Sequence, residues 1–163
     1  MLDKFATNVF NFNEIAGNNL DTSLASFEAQ QKCLVEEVRE ISEGLVNNDV
    51  EEVLDGVVDT LYVAIGMLHK LKEMGIDVEE AMRRIGENNL SKYPEVSDYV
   101  IDSTVDLYDK KGVKVSYSFA RSPLDDYKVV VFKDENGKIR KPFGFESVTL
   151  KDLVAGIKFD ERI

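Results

Sequence analysis

Cysteine is nearly absent from this 163-residue chain, where Cys33 stands alone. That excludes an internal disulfide framework and suits a reducing compartment. Histidine is equally scarce. His69 is the only one and has Gly66 three residues before it, which disfavours a di-iron carboxylate bundle built on Glu-x-x-His pairs. Basic residues are outnumbered, with 20 Lys and Arg against 31 Asp and Glu and a net charge of -11. Such a balance argues against broad, salt-driven binding to nucleic acid. The longest apolar run, Leu61 to Leu68, falls short of the roughly 20 residues that span a bilayer. The start, Met1-Leu2-Asp3-Lys4, lacks the basic-then-apolar layout of a signal peptide. The expectation is a soluble, cytoplasmic chain with no nucleic-acid and no membrane partner.

What is present is helical periodicity followed by strand periodicity. Leu2, Phe5, Val9, Phe10 and Phe12 space a short leading helix that stops at Gly17-Asn18-Asn19. A longer helix starts from a cap at Asp21, Thr22 or Ser23 and runs to Asn47, with Phe27, Leu34, Val38, Ile41 and Leu45 as its stripe. Asp49 caps the next, with Glu52 in capping-box position, and Val50 through Leu71 give it an apolar surface too wide for one neighbour. That width predicts burial in a bundle or at a subunit interface. Gly75 ends it, and Asp77 opens another helix that closes at Asn88 to Pro94. Beyond Pro94 a short helix over Tyr99–Tyr108 is expected, then alternation at Val113, Val115, Tyr117 and Phe119. A β-rich run over Tyr127–Lys133 leads into an Asn136-Gly137 turn, with the chain returning from Ile139. The fold class is therefore mainly α, an antiparallel helical bundle with a small C-terminal β hairpin or sheet. It is read as a single domain, 1–163, with a helical body over 1–94, an insertion over 95–132, and a hairpin and tail over 133–163.

The chemistry concentrates on two acidic segments, Glu36-Glu37-Val38-Arg39-Glu40 and Glu52-Val53-Leu54-Asp55-Gly56-Val57-Val58-Asp59. On helices joined by a short turn, these carboxylates oppose one another across a hairpin. An acidic pair taken alone is usually a solvated face. Here Glu37 and Glu40 border the Leu34–Val38–Ile41 stripe, while Asp55 and Asp59 flank Val57, Val58 and Leu61. Like charges at helical spacing cost about 0.2–0.5 kcal/mol per pair. Stacking four beside an apolar seam makes sense if they hold a hard divalent cation such as Mg²⁺, which takes oxygen ligands and keeps positions for water and phosphates. Glu52 is divided between ligand and cap, and Glu36 between general base and surface residue. Cys33 is read as packing. Phe10 and Phe12 could stack on a base, although aromatics at helical spacing are more often core.

Val35-Glu36-Glu37-Val38-Arg39-Glu40-Ile41, followed by Asp55-Gly56-Val57-Val58-Asp59-Thr60-Leu61-Tyr62-Val63, resembles the all-α nucleoside triphosphate pyrophosphohydrolase superfamily. That superfamily includes MazG-like enzymes, phosphoribosyl-ATP pyrophosphohydrolase and the dimeric dUTP and dCTP pyrophosphatases. Its hallmark is E-x-x-E and then E-x-x-D on the next helix. Glu37, Glu40 and Asp59 match, but Gly56 stands where the third acid belongs, and Asp55 or Glu52 is the substitute. Asn89-Leu90-Ser91-Lys92 and Asp134 through Phe145 are similar to later elements of the MazG-like members.

The resemblance implies a Mg²⁺-dependent nucleoside triphosphate pyrophosphohydrolase, with Mn²⁺ as the alternative metal, releasing a monophosphate and pyrophosphate. Glu37, Glu40, Asp55, Asp59 and Glu52 are the candidate metal ligands and Glu36, Glu37 and Glu40 the catalytic set, with Glu36 or Glu52 as base. Asn89 and Lys92 are the candidate substrate contacts, and a homodimer or homotetramer is the expected assembly. Two alternatives stand beside this reading. One is a narrower substrate, phosphoribosyl-ATP or a single deoxynucleotide such as dUTP or dCTP. The other is a non-catalytic helical interaction protein with solvated acidic pairs.

Overall fold

The computed structural model describes residues 2–18, 21–124 and 126–160. Five helices carry most of the chain: α1 (Leu2–Ile15), α2 (Leu24–Asn47), α3 (Val50–Glu73), α4 (Val78–Leu90) and α5 (Asp98–Asp109). Two strands, β1 (Val115–Arg121) and β2 (Lys128–Asp134), form an antiparallel sheet. The architecture is mainly α with a small hairpin, as the periodicity predicts. The chain divides into two units, residues 1–78 with 151–163, and residues 79–150.

The first unit is organised by the α2–α3 hairpin. Ser23 caps α2, its side chain accepting from the Ser26 amide. Asn48, at φ 54°, makes the left-handed turn out of α2. Asp49 then caps α3 by accepting from the amides of Glu51 and Glu52. Glycines set the approach of the two helices. A Cβ on Gly44 would lie 2.9 Å from the Val53 nitrogen, one on Gly56 2.9 Å from Ile41, and one on Gly66 3.5 Å from Gln30. As position rises on α3 it falls on α2, so the pair is antiparallel and in close backbone contact. α1 lies on α3, with Phe5 and Phe12 edge-on to Tyr62 and Phe10 against His69 at 4.3 Å. Phe10 is thus half-buried within the unit, whereas Phe12, although edge-on to Tyr62, stays exposed and does not follow the core expectation. Near the start of α2, Phe27 meets Phe159 at 4.9 Å and the Leu24 amide donates to the Asp160 carbonyl.

Lys70 was not singled out by the sequence, yet it is the most buried charged residue described in this unit. Its ammonium donates to the carbonyls of Asn18 (2.6 Å) and Asp21 (3.0 Å) and to the Ser26 hydroxyl (2.8 Å). Burial lowers its pKa, partly opposed by the Asp21 carboxylate. With all three donors used, it locks the approach to α2 and is not a free catalytic amine. Cys33 corrects an expectation, because it sits exposed on α2 and does not pack.

In the second unit, Ile101 of α5 packs with Val130 and Phe132 of β2. Thr104 is fully buried, and its hydroxyl donates to the Val100 carbonyl and accepts from the Phe143 amide. The expected Asn136-Gly137 turn is present, held by the Asp134 carboxylate accepting from the amides of Asn136 and Lys138. Burial pushes Asp134 up, but the Lys138 amide, the Arg140 guanidinium and the Asn136 amide bring it below the ordinary carboxylate value. The return arm differs from expectation. It is a single bridge, Lys133 with Ile139, and the main pairing is β1 with β2. Pro142 two residues after Arg140 explains the short arm, since proline removes a ladder donor.

Candidate metal and active site

The helix register decides which carboxylates meet. Glu37 is half-buried, and its pKa is raised first by desolvation and then by the negative charges of Glu40, Asp59, Glu36 and Asp55. Five of the candidate acids therefore share one electrostatic neighbourhood on the α2–α3 hairpin. Glu52 is not among the groups acting on Glu37. It lies a turn earlier on α3, where Asp49, Glu51, Glu52, Leu54, Asp55 and Val58 line an open depression of about 580 Å³. Asp55 belongs to both groups.

The capping account of Glu52 is half supported. Its amide donates to the Asp49 carboxylate, but the Asp49 amide is taken by the Gly44 carbonyl at 2.8 Å. The reciprocal bond of a capping box therefore has no donor left. Among the described residues, no three Asp, Glu, His or Cys side chains converge closely enough to hold one ion as they stand. The donor chemistry nevertheless suits a hard cation: carboxylates alone, on two facing helices, one of them shifted toward protonation by burial and then by its neighbours.

The raised Glu37 makes a pH prediction. A group that binds its proton more tightly when folded contributes stability below its unfolded value, 4.5, and loses it as pH rises through the folded value. Without divalent cations, wild-type thermal stability should therefore fall relative to Glu37→Gln from acid toward neutral pH. At neutral pH the variant should be ahead by about 0.5–1 kcal/mol, roughly 1–4 °C. Parallel thermal melts in EDTA across that range check it, and coincident curves would remove Glu37 from the cluster.

The hairpin and its acids fall inside the stretch that a protein-family model matches. Residues 17–89 match the family model described as phosphoribosyl-ATP pyrophosphohydrolase. That family is part of the MazG-like all-α nucleoside triphosphate pyrophosphohydrolase superfamily. No curated protein and no solved structure matches the chain. The match takes in both acidic segments and ends at Asn89, before Lys92 and before the sheet.

Within the superfamily pattern, Gly56 now has a physical reason. Its Cβ would fall 2.9 Å from the Ile41 side chain and 3.2 Å from both the Glu37 carbonyl and the Ile41 nitrogen. The helices touch at this point, so no glutamate fits there. Asp55, one residue earlier, is exposed and within range of Glu37.

Asn89 and Lys92 belong to the second unit, where they engage each other, the Lys92 ammonium donating to the Asn89 carboxamide oxygen at 2.6 Å. Sequence reasoning paired them by motif and missed Asn88, whose side chain donates to the Glu146 carbonyl at 2.7 Å. Along α4, Arg83 and then Arg84 hold the Glu80 carboxyl down at about 2. A cavity of about 730 Å³ is also in this unit, under Tyr93, Ala120, Tyr127, Val129 and Val131. Among the described residues Glu95 is the one acid lining it.

Proposed function

We propose that the chain is a Mg²⁺-dependent nucleotide pyrophosphohydrolase. The observation that carries this is the negative field that Glu40, Asp59, Glu36 and Asp55 place on half-buried Glu37, within a stretch matching a pyrophosphohydrolase family. Glu37, Glu40, Asp55 and Asp59 are the proposed holders of Mg²⁺, or of Mn²⁺ in its place. Glu52 is a fifth, peripheral candidate. Bound there, the cation would offset phosphate charge and acidify the attacking water. Glu36 takes the water's proton, with Glu52 in reserve. The water oxygen bonds to phosphorus, the anhydride bond between the first and second phosphates breaks, and pyrophosphate leaves with the monophosphate. Asn89 and Lys92 are proposed substrate contacts, the lysine as a phosphate partner.

Two substrates compete. The acidic pairs and the sequence pattern suit a nucleoside or deoxynucleoside triphosphate, whereas the description of the matching family favours phosphoribosyl-ATP. Turnover of phosphoribosyl-ATP and of a panel of triphosphates under one set of conditions decides between them. A kcat/KM at least about 100-fold higher for one class, or 2.7 kcal/mol in transition-state binding, assigns the substrate. No turnover of either removes the reading.

A homodimer or homotetramer and a cytoplasmic location complete the proposal. Val50, Leu54, Val57 and Leu61 on α3 and Val35, Val38, Leu45 and Val46 on α2 are all exposed in the single chain. An apolar surface of this kind, beside a catalytic cluster, supports pairing of hairpins between copies.

A further inference from the structure

The sheet of the second unit has an open edge, and its backbone parity can be read from its neighbours. Among the described residues β1 pairs with β2 alone. On β2, the amides of Val130 and Asp134 donate to the carbonyls of Pro94 and Lys138, and the Phe132 carbonyl accepts from Arg140. These three residues turn their backbone groups away from β1. In an antiparallel ladder the residues between them, Val129, Val131 and Lys133, must then bond toward β1, where they face Ala120, Ser118 and Ser116. The Ser122 amide donating to the Tyr127 carbonyl continues the same alternation. The amides and carbonyls of Val115, Tyr117, Phe119 and Arg121 accordingly point out of the sheet.

This edge lacks the usual protection. Its seven residues contain no proline and no lysine, and the register with β2 runs without a bulge. All but Val115 are exposed. Its one charge, Arg121, is paired with Asp126 at 2.8 Å.

We propose that β1 is a self-association edge, pairing antiparallel with β1 of a second copy about a two-fold axis at Ser118. The occupant follows from the sequence of the strand itself. In this register Tyr117 lies opposite Phe119 of the second copy, and Val115 opposite its Arg121. All four outward-facing residues meet outward-facing residues, giving four pairs that each exchange two backbone hydrogen bonds. Side chains match as well. The face with Val115 and Arg121 gains two Tyr–Phe cross-strand pairs, and the other face brings Ser118 to Ser118 and Ser116 to Ala120. No like charges oppose. A shift of the axis by one residue to Tyr117 sets Arg121 against Val113, outside the strand, and loses outward pairs. The edge lies wholly in the second unit, so the pairing is independent of the catalytic reading and of the helix-face assembly.

Two experiments on the full chain test it. Phe119→Pro removes an amide that points off the edge and leaves the β1–β2 ladder intact. Sedimentation equilibrium should give half the wild-type mass, whatever state the helix faces set. An unchanged mass, or a wild type that is already monomeric, overturns the proposal. The second reads the register by cysteine cross-linking, on a Cys33→Ser background because Cys33 is exposed. Ser118→Cys should oxidise to a covalent dimer, Ser116→Cys should not, and a mixture of Ser116→Cys and Ala120→Cys chains should. A Ser116→Cys dimer forming as fast as the Ser118→Cys one, or no Ser118→Cys dimer, contradicts the pairing. Should Phe119→Pro fail to fold, the cysteine comparison decides alone.

Discussion

Asp59→Asn is expected to lower turnover by about 10³-fold or more while leaving the chain folded. Asp59 acts on Glu37 through its charge from the facing helix and is the acid that the superfamily pattern places last. Replacing its carboxylate by a carboxamide keeps the volume and removes a charged oxygen ligand. A loss of 10³ corresponds to about 4 kcal/mol of transition-state stabilisation, within what a misheld cation forfeits. The folded state should not suffer, because the substitution also relieves repulsion with Glu37. Steady-state kinetics with a thermal melt on the same sample checks both halves. Glu40→Gln should behave alike. An Asp59→Asn protein that keeps a tenth of wild-type activity would show that Asp59 is not a ligand.

Gly56→Glu should unfold the hairpin instead of restoring the missing ligand. On pattern alone, the substitution rebuilds E-x-x-D with Asp59. On geometry, the first added carbon already lies 2.9 Å from Ile41 and 3.2 Å from the α2 backbone. Overpacking of this kind costs about 1–3 kcal/mol, and a carboxylate wedged between helices adds a burial penalty of about the same order. Better helix propensity returns under about 1 kcal/mol. The net loss is a large part of an ordinary domain's 5–15 kcal/mol. Urea denaturation of Gly56→Glu beside Gly56→Ala measures it, with the alanine variant losing less. A stable and more active Gly56→Glu protein would mean that Asp55 does not stand in for the family acid.

These two residues also show how far the sequence could be read. Asp59 was legible because helical spacing put it beside an apolar stripe, and the α2–α3 boundaries followed from Ser23, Asn48 and Asp49 as caps and stop. The departure at Gly56 was visible as a pattern, but its cause was not, since close approach of two backbones leaves no mark in one helix. Lys70 was hidden for a similar reason: its partners, Asn18, Asp21 and Ser26, are some fifty positions away in the chain. The strand at 115–121 was announced by alternation, while its pairing was not. A strong Asn-Gly turn drew attention to residues after 134, yet seven matched positions with β2 outweigh the one bridge that Pro142 leaves possible. For Cys33, burial is the common fate of the residue type, and its place on the outer side of α2 overrode that expectation.

The proposed hydrolysis depends on the acids of α2 and α3 acting together through a divalent cation. The most direct test is pyrophosphate release from phosphoribosyl-ATP and the triphosphate panel, first with Mg²⁺, then with EDTA, for wild type and Asp59→Asn. The account predicts release by the wild type with Mg²⁺ alone, and near-silence from EDTA samples and from the variant. Release that persists in EDTA, or that Asp59→Asn matches, would contradict it.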